Sequence, residues 1–351
     1  MDIKDEIFAG WMRDDGPETD VVVSSRIRLA RNIDNLAFTH IAGHDDLDKV
    51  LRTVEEVIKS TRDLADMKII DLDSLSVFER ELLVARHLIS PELAQNWERR
   101  AVILSEDNES SIMVNEEDHL RIQSLLPGSQ FQKAWEMANR VDDLLEAKLN
   151  YAFSEDIGYL TACPTNAGTG LRGSIMLHLP ALKRTNQIGA MLNAVLKLGL
   201  AIRGTYGEGT EATGDMYQIS NQITLGQSEE EILENLSGTA RQIIYQERNA
   251  RSVLLKEYRS KVEDVVYRAY GLLKNARILS SEEALKLISE VRMGIYTDII
   301  KGISASVINE LMVIISPAYV SKVEDRELSS YERDVKRAEL VREKLSSISI
   351  L

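Results

Sequence analysis

The chain has 351 residues, 44% of them hydrophobic, enough for one large domain or two ordinary ones with proper cores. Against 42 Lys and Arg stand 56 Asp and Glu, a net charge of -14 that argues against general binding to nucleic acid or anionic membranes and confines any anion site to a local cluster of cations. One cysteine excludes an intramolecular disulfide framework and a cysteine-built zinc site, and the five histidines show no metal-ligand spacing, so no metal-binding residues are expected.

Residues 1–16 carry acidic side chains and a tryptophan instead of a basic region followed by an apolar run, and no apolar stretch approaches the roughly 18 to 20 residues that cross a bilayer. A soluble protein in a reducing, cytoplasmic setting is expected. Residues 20–32 begin as a β-branched run and then turn basic. Arg26 and Arg28 alternate with Ile27 and Leu29, so an extended chain puts both guanidinium groups on one face with apolar side chains behind. Two such forks side by side suit a polyphosphate, and an exposed edge strand with solvated charges is the simpler alternative.

Leu47, Val50, Leu51, Val54, Val57 and Ile58 recur at helical spacing, and a second packing helix is read over residues 75–88. Residues 100–104 and 110–115 read as a hairpin across the polar turn 105–109. That hairpin runs into Asn115-Glu116-Glu117-Asp118-His119-Leu120-Arg121. Consecutive carboxylates repel one another unless a cation neutralises them, so the run is either a place to meet a cationic substrate or an acidic turn in solvent.

Residues 130–149 form an amphipathic helix with Trp135, Ala138, Val141, Leu144, Leu145 and Leu149 as its apolar stripe. Residues 151–161 are read as a strand leading into Cys163-Pro164-Thr165-Asn166-Ala167-Gly168-Thr169-Gly170-Leu171-Arg172, and residues 173–179 as a strand leading out. The loop between them holds the only thiol, neutral polar groups, an arginine to grip phosphate, and two glycines spaced to let backbone approach a ligand. It is not a Walker loop, which has Gly-Lys-Ser or Gly-Lys-Thr at the start of a helix.

A helix over 184–198 ends at Gly199, and 204–215, with four glycines and no proline, reads as a mobile loop suited to closing over a substrate and excluding water. Residues 216–225 alternate as a further strand. From Ser228 strand signals end: Ser228-Glu229-Glu230-Glu231 is a capped helix start, and further helices are read over 250–274, 281–293, 305–315 and 326–346. The expected organisation is α+β over residues 1–227, followed by an all-helical part over 228–351. Within the last helix Arg333 and Arg337 share a face and Asp334 can pair nearby, which by itself describes a solvated surface.

Four of these segments together, Ser24-Ser25-Arg26-Ile27-Arg28, Asn115 to Arg121, Cys163 to Arg172, and Arg203-Gly204-Thr205 with Gly207-Glu208, resemble the phosphagen kinases. That family moves the γ-phosphoryl group of ATP onto a guanidinium nitrogen. The resemblance implies a catalytic domain with a mostly antiparallel sheet flanked by helices, and ATP and Mg²⁺ as cofactors. It implies Glu117 as principal base and guanidinium clamp, Glu208 as a second carboxylate from the closing loop, and Cys163 as a thiolate beside the reacting nitrogen. Ser24, Arg26, Arg28, Arg121, Arg172 and Arg203 would bind the nucleotide. Ala167 replaces a branched aliphatic residue of that pattern and Met176 a histidine near the nucleotide, so the adenosine contacts are expected to differ.

Only 23 residues precede Ser24, where small-molecule members carry a helical domain, and a long helical extension follows the catalytic part. This arrangement is similar to the bacterial branch of the family that phosphorylates arginine side chains within proteins, marking them in stress response and proteolysis. The branch implies protein substrates with exposed arginines, a homodimer formed through the helical part, an activator protein and a Clp-type protease system as partners, and no membrane or direct nucleic-acid partner. It also implies that Arg333 and Asp334, within Arg333-Asp334-x-x-Arg337-Ala338, read phosphoarginine. Two other readings stay open here: a kinase for free arginine or another small guanidino compound, and a phosphoarginine-binding adaptor with weak catalysis.

Overall fold

In the computed structural model, which describes residues 8–204 and 212–346, the alternating run around Arg26 and Arg28 becomes β1 (Val22–Arg31), an inner strand of an eight-stranded sheet. Along the chain follow α1 (His44–Ser60), β2 (Lys68–Asp71), α2 (Val77–Ala85), α3 (Pro91–Gln95), β3 (Ala101–Leu104), β4 (Ser110–Val114), β5 (Leu120–Pro127) and α4 (Phe131–Glu146). A two-stranded flap, β6 (Phe153–Ser154) and β7 (Gly158–Tyr159), precedes β8 (Leu171–His178), α5 (Pro180–Arg184), α6 (Ile188–Lys197), β9 (Leu200–Gly204) and β10 (Met216–Asn221). The remainder is helical: α7 (Glu229–Asn275), α8 (Ser281–Tyr296), α9 (Ala305–Ile314), α10 (Pro317–Glu324) and α11 (Ser330–Ser346). The expected α+β class with an antiparallel sheet and a helical end is what the structure has.

The sheet runs β2-β3-β4-β5-β1-β8-β10-β9, and every neighbouring pair is antiparallel. Directly paired residues share a face. The pairs Arg28↔Arg172, Ala30↔Arg121, Arg26↔Ser174 and Gln218↔Arg203 therefore build one polar face, while Ile27, Leu29, Ile122, Ile175 and Ile219 point the other way. That apolar face is closed by Phe131, Ala134, Ala138 and Leu145 of α4 and by Leu236, Ala240 and Ile243 of α7. On the polar face, Val102, Leu104, Met113 and Leu125 belong to a second core that joins Trp11 and Met12 of the N-terminal segment and Leu82, Leu83 and Leu93 of α2 and α3 to Val266, Ile288, Leu311 and Val341 of the C-terminal helices. The rest of the polar face stays open.

α7 begins with the expected cap, for Ser228 Oγ accepts from Glu231 N and the Glu231 carboxylate accepts from Ser228 N. It is one 47-residue helix broken at Tyr258 (φ -134°), with its first half in the sheet core and its second half, Val262 to Leu273, in the helical core. Among the described residues no single helix is long and apolar enough to cross a membrane.

Some local expectations are corrected. Residues 151–161 are not one strand but the short β6–β7 flap, because Gly158 (φ +95°) turns the chain against Gly168. The helix expected over 184–198 is two, α5 and α6, separated at Asn186 (φ +56°). β5 occupies a stretch read only as the end of an acidic turn. Its residues are buried on both faces, apart from half-buried Arg121, so polarity does not alternate along it.

Candidate active site

The open part of the polar face is a cleft of about 390 Å³ lined by Arg28, Arg121, Arg172 and Arg203 together with Ala30, Glu92, Glu117, Cys163, Thr165, Asn166 and Gly170. Each arginine comes from a different strand, β1, β5, β8 and β9 respectively, and the antiparallel register brings them to one face. Their crowding is visible in their acidities. Burial, reinforced by Arg26, Arg121 and Arg172, pushes the Arg28 guanidinium well below its ordinary range. Burial, then Arg203 and Arg121, lowers Arg172, although Cys163 and Glu117 oppose the shift. Among the described residues Nε of Arg28 and Nε of Arg172 are buried without a hydrogen-bond partner. Cations gathered with donors to spare fit a multiply charged anion such as a triphosphate.

Two of the expected nucleotide residues stand slightly apart. Ser24 and Arg26 line a small adjoining cavity of about 20 Å³ with His87, Met176, Gln218 and Met312 of α9. Arg26 Nε donates to Ser174 Oγ (3.3 Å) and Nη2 to Gln218 Oε1 (3.1 Å), while burial and then Arg172 and Arg121 bring its guanidinium down to about 10. His87, which sequence reasoning passed over, has φ +60° and packs edge-on to Trp11 with ring centroids 5.2 Å apart. Burial, then Arg26, holds it at about 4, so it is neutral near pH 7. Nothing in the surrounding Val84-Ala85-Arg86-His87-Leu88 marks it out.

The acidic run is divided into three different jobs, which corrects its reading as a single block of carboxylates. Glu116 is buried, accepting from Arg121 Nη1 (2.6 Å) and from Ser90 Oγ (2.6 Å). Glu117 faces the cleft, with Arg121 Nη2 at 3.0 Å and Asn166 Nδ2 at 3.4 Å from Oε2. Asp118 is fully buried and its Oδ1 accepts from Asn32 Nδ2 and Ala162 N, both at 2.7 Å, which pins the segment leading to Cys163. Burial raises Asp118 above the usual carboxylate range against these two hydrogen bonds. His119 is a structural residue: its Nδ1 accepts from Ile33 N (3.0 Å), leaving Nε2–H to donate to Ala37 O (2.9 Å), and burial lowers its pKa to match that neutral form.

The loop from Cys163 to Gly170 is held from beneath by residues whose role sequence does not show. Arg31 is 2% exposed, donates through Nε and Nη2 to Asp142 Oδ2 (3.0 and 2.7 Å), and through Nη1 to Thr169 O (3.0 Å). Thr224 Oγ1 donates to Thr165 O (2.9 Å) and Ala167 O (2.7 Å). The glycines are required by this packing: a Cβ on Gly168 would lie 2.8 Å from Thr224 O, and one on Gly170 only 2.6 Å from Ala30 O. Cys163 Sγ lies 3.0 Å from Thr165 Oγ1.

The structure thus brings Arg28, Arg121, Arg172, Arg203, Glu117 and Cys163 together. Glu208 lies outside the described residues. Arg333 and Asp334 are on α11 and do not line this cleft; Arg333 Nη1 donates to Leu328 O (2.8 Å), and Asp334 Oδ1 accepts from the buried Arg337 (2.5 Å), which also holds Ile315 O and Leu279 O. The described residues contain no group of three or more His, Cys, Asp and Glu side chains able to hold a metal ion.

Comparison with known proteins agrees with this geometry. The family model "ATP:guanido phosphotransferase, C-terminal catalytic domain" matches residues 49–250, and "Protein-arginine kinase McsB C-terminal domain" matches residues 259–350. The chain is 53% identical over 343 residues to the protein-arginine kinase of Pelotomaculum thermopropionicum, covering 97% of this chain and 96% of that one. It is 50% identical over 355 residues to that of Desulforamulus reducens, covering 99% of each. Among solved structures, a lombricine kinase matches with a TM-score of 0.59 at 25% identity, over 70% of this chain and 71% of that one. A duplicated taurocyamine kinase from Schistosoma mansoni matches with a TM-score of 0.59 at 23% identity, over 76% and 39% respectively, a likeness of fold.

Proposed function

This chain belongs to the ATP:guanido phosphotransferase family, and from that premise we propose that it is a protein-arginine kinase, moving the γ-phosphoryl group of ATP onto the guanidinium of arginine residues in proteins. The observation that carries the chemistry is the convergence of arginines from four strands on the cleft that also holds Glu117. One pole suits a triphosphate and the other a guanidinium.

A guanidinium is a poor nucleophile, since its charge is delocalised and its pKa exceeds about 12, so it must be oriented and relieved of a proton. Glu117 does both in this reading, which is supported by its position on the cleft and by Asn166 Nδ2 at 3.4 Å from its Oε2. Glu208 supplies the second carboxylate and Cys163 Sγ borders the reacting nitrogen. Arg28, Arg121, Arg172 and Arg203 grip the phosphates and stabilise charge on the phosphoryl group in flight, with Arg26 and Ser24 beside them. A bound Mg²⁺ would supply further charge neutralisation beside these arginines.

Residues 1–227 carry catalysis, and residues 228–351 serve dimerisation and regulation, with Arg333 and Asp334 reading phosphoarginine. The protein works in the bacterial cytoplasm, where its product marks proteins during stress for a Clp-type protease, with an activator protein as partner. The net charge of -14 favours approach of basic, arginine-bearing surfaces.

The test is incubation with Mg-ATP and either an arginine-rich protein or free arginine, followed by assay for acid-labile phosphoramidate. Label on the protein is expected. Label on free arginine alone overturns the protein-kinase reading, and none on either points to a phosphoarginine-binding adaptor.

A further inference from the structure

Glu92 lies on the cleft wall, on a short helix that the acidic run itself holds in place. Ser90 caps α3 by accepting from Leu93 N (3.1 Å) and donates its hydroxyl proton to Glu116 Oε1 (2.6 Å), the carboxylate that also grips Arg121. Leu93 is fully buried in the second core. Glu92 therefore sits between two fixed residues and presents an exposed side chain to the cleft.

Its electrostatic position is unusual among its neighbours. The other carboxylate lining the cleft, Glu117, is paired with Arg121. Glu92 has no ion pair among the described residues. Arg100 is close enough for Glu92 to influence it, but its Nε and Nη1 donate to Asn115 O and Asn96 O and it forms no ion pair with Glu92. A helix-start glutamate also favours its own helix dipole, but that function needs no cleft.

We propose that Glu92 is a specificity-determining residue that receives a cationic side chain flanking the target arginine in a protein substrate. The inference rests on the protein-arginine kinase reading and deepens it. Glu117 takes the guanidinium to be phosphorylated; Glu92, exposed on α3, meets the neighbouring lysine or arginine. A rim carboxylate in solvent contributes at most about 1 kcal/mol to such a pair, which corresponds to about a fivefold preference and is weakened by salt.

Two peptides test this, each with a single arginine, one flanked by lysines and one by alanines, and phosphoramidate formation is followed with Mg-ATP. The ratio of kcat/KM for the lysine-flanked over the alanine-flanked peptide is expected to fall about threefold to fivefold in Glu92→Gln, to invert in Glu92→Lys, and to be largely retained in Glu92→Asp. In the unaltered enzyme the same ratio should shrink at high salt. A ratio that does not move in Glu92→Gln and Glu92→Lys overturns the proposal, including when both rates fall together, because that pattern means a structural role or a contact with the target guanidinium itself. Phosphoramidate on neither peptide with the unaltered enzyme rejects the kinase reading instead.

Discussion

Glu117 is where the two poles of the cleft touch, because its carboxylate carries both Arg121 and Asn166. Glu117→Gln keeps the size and the hydrogen-bonding reach of the side chain and removes only its charge and basicity. The expected result is a fall in kcat of about a hundredfold to ten thousandfold, with a far smaller change in KM for ATP, measured by steady-state kinetics. A variant within twofold of the parent would remove Glu117 from the mechanism. His87 makes a different statement, about pH. It is held at about 4 in the folded protein against an ordinary 6.5, so the unfolded chain takes up a proton first as pH falls. Its contribution to stability is complete above pH 6.5 and is lost progressively down to about 4. Being only partly buried, it accounts for at most about 3 kcal/mol of that decline. In His87→Gln, denaturant titrations across this window should show a shallower loss of stability on acidification than in the parent; an identical slope refutes the assignment.

At the scale of elements, the loop from Cys163 to Gly170 is shaped by what lies behind it. Gly170 has φ +64°, and a Cβ there would come within 2.5 Å of Arg31 Nη1 and 2.6 Å of Ala30 O. Gly170→Ala should therefore lose at least about 1 kcal/mol of stability and much of the activity, since Arg31 also holds Thr169 O. Gly189 in α6 is the control, with open space around its Cα and no left-handed backbone. Gly189→Ala should gain about 0.5 to 1 kcal/mol with activity unchanged. Equal midpoints for both variants in urea would refute the packing argument. The same loop shows what a sequence makes legible. Cys163, Glu117 and most of the arginines could be read through the resemblance of four motifs to a family, and only Arg26 and Arg28 through the alternation of β1, which the structure has. Arg31, Asp142, Asn32 and Thr224 could not, since their partners lie far along the chain, 111 residues away for Arg31 and Asp142. Short elements escaped for a related reason: β2 and β9 have four and five residues, too few to establish a period, and α10 starts at Pro317 directly after α9.

The whole molecule has two hydrophobic cores but no clean seam between them, and α7 is why. Ile232, Leu236, Ala240 and Ile243 close the sheet, while Val262, Val266, Ala269 and Leu273 of the same helix join the C-terminal core. That second core also covers Val102, Leu104, Met113 and Leu125, each no more than 3% exposed. The bond network crosses the same way: buried Arg292 of α8 donates to Asn309 Oδ1 (2.5 Å) and Thr19 O (2.9 Å), and Asn309 Nδ2 donates to Met12 O (3.0 Å). Removing the C-terminal helices would take away the half of the second core that packs on Trp11, Met12 and α2 and present its apolar side chains to water. A chain ending at Tyr258, the break in α7, is therefore expected to aggregate or bind a hydrophobic dye instead of folding into a soluble kinase. The intact chain, by contrast, should unfold in one transition whether followed by tryptophan fluorescence or by far-ultraviolet circular dichroism, because neither core survives without the helix they share. Two resolved transitions in the intact chain, or a monodisperse and active 1–258 fragment, would show that the helical part is an appendage and not half of the structure that supports the arginine cleft.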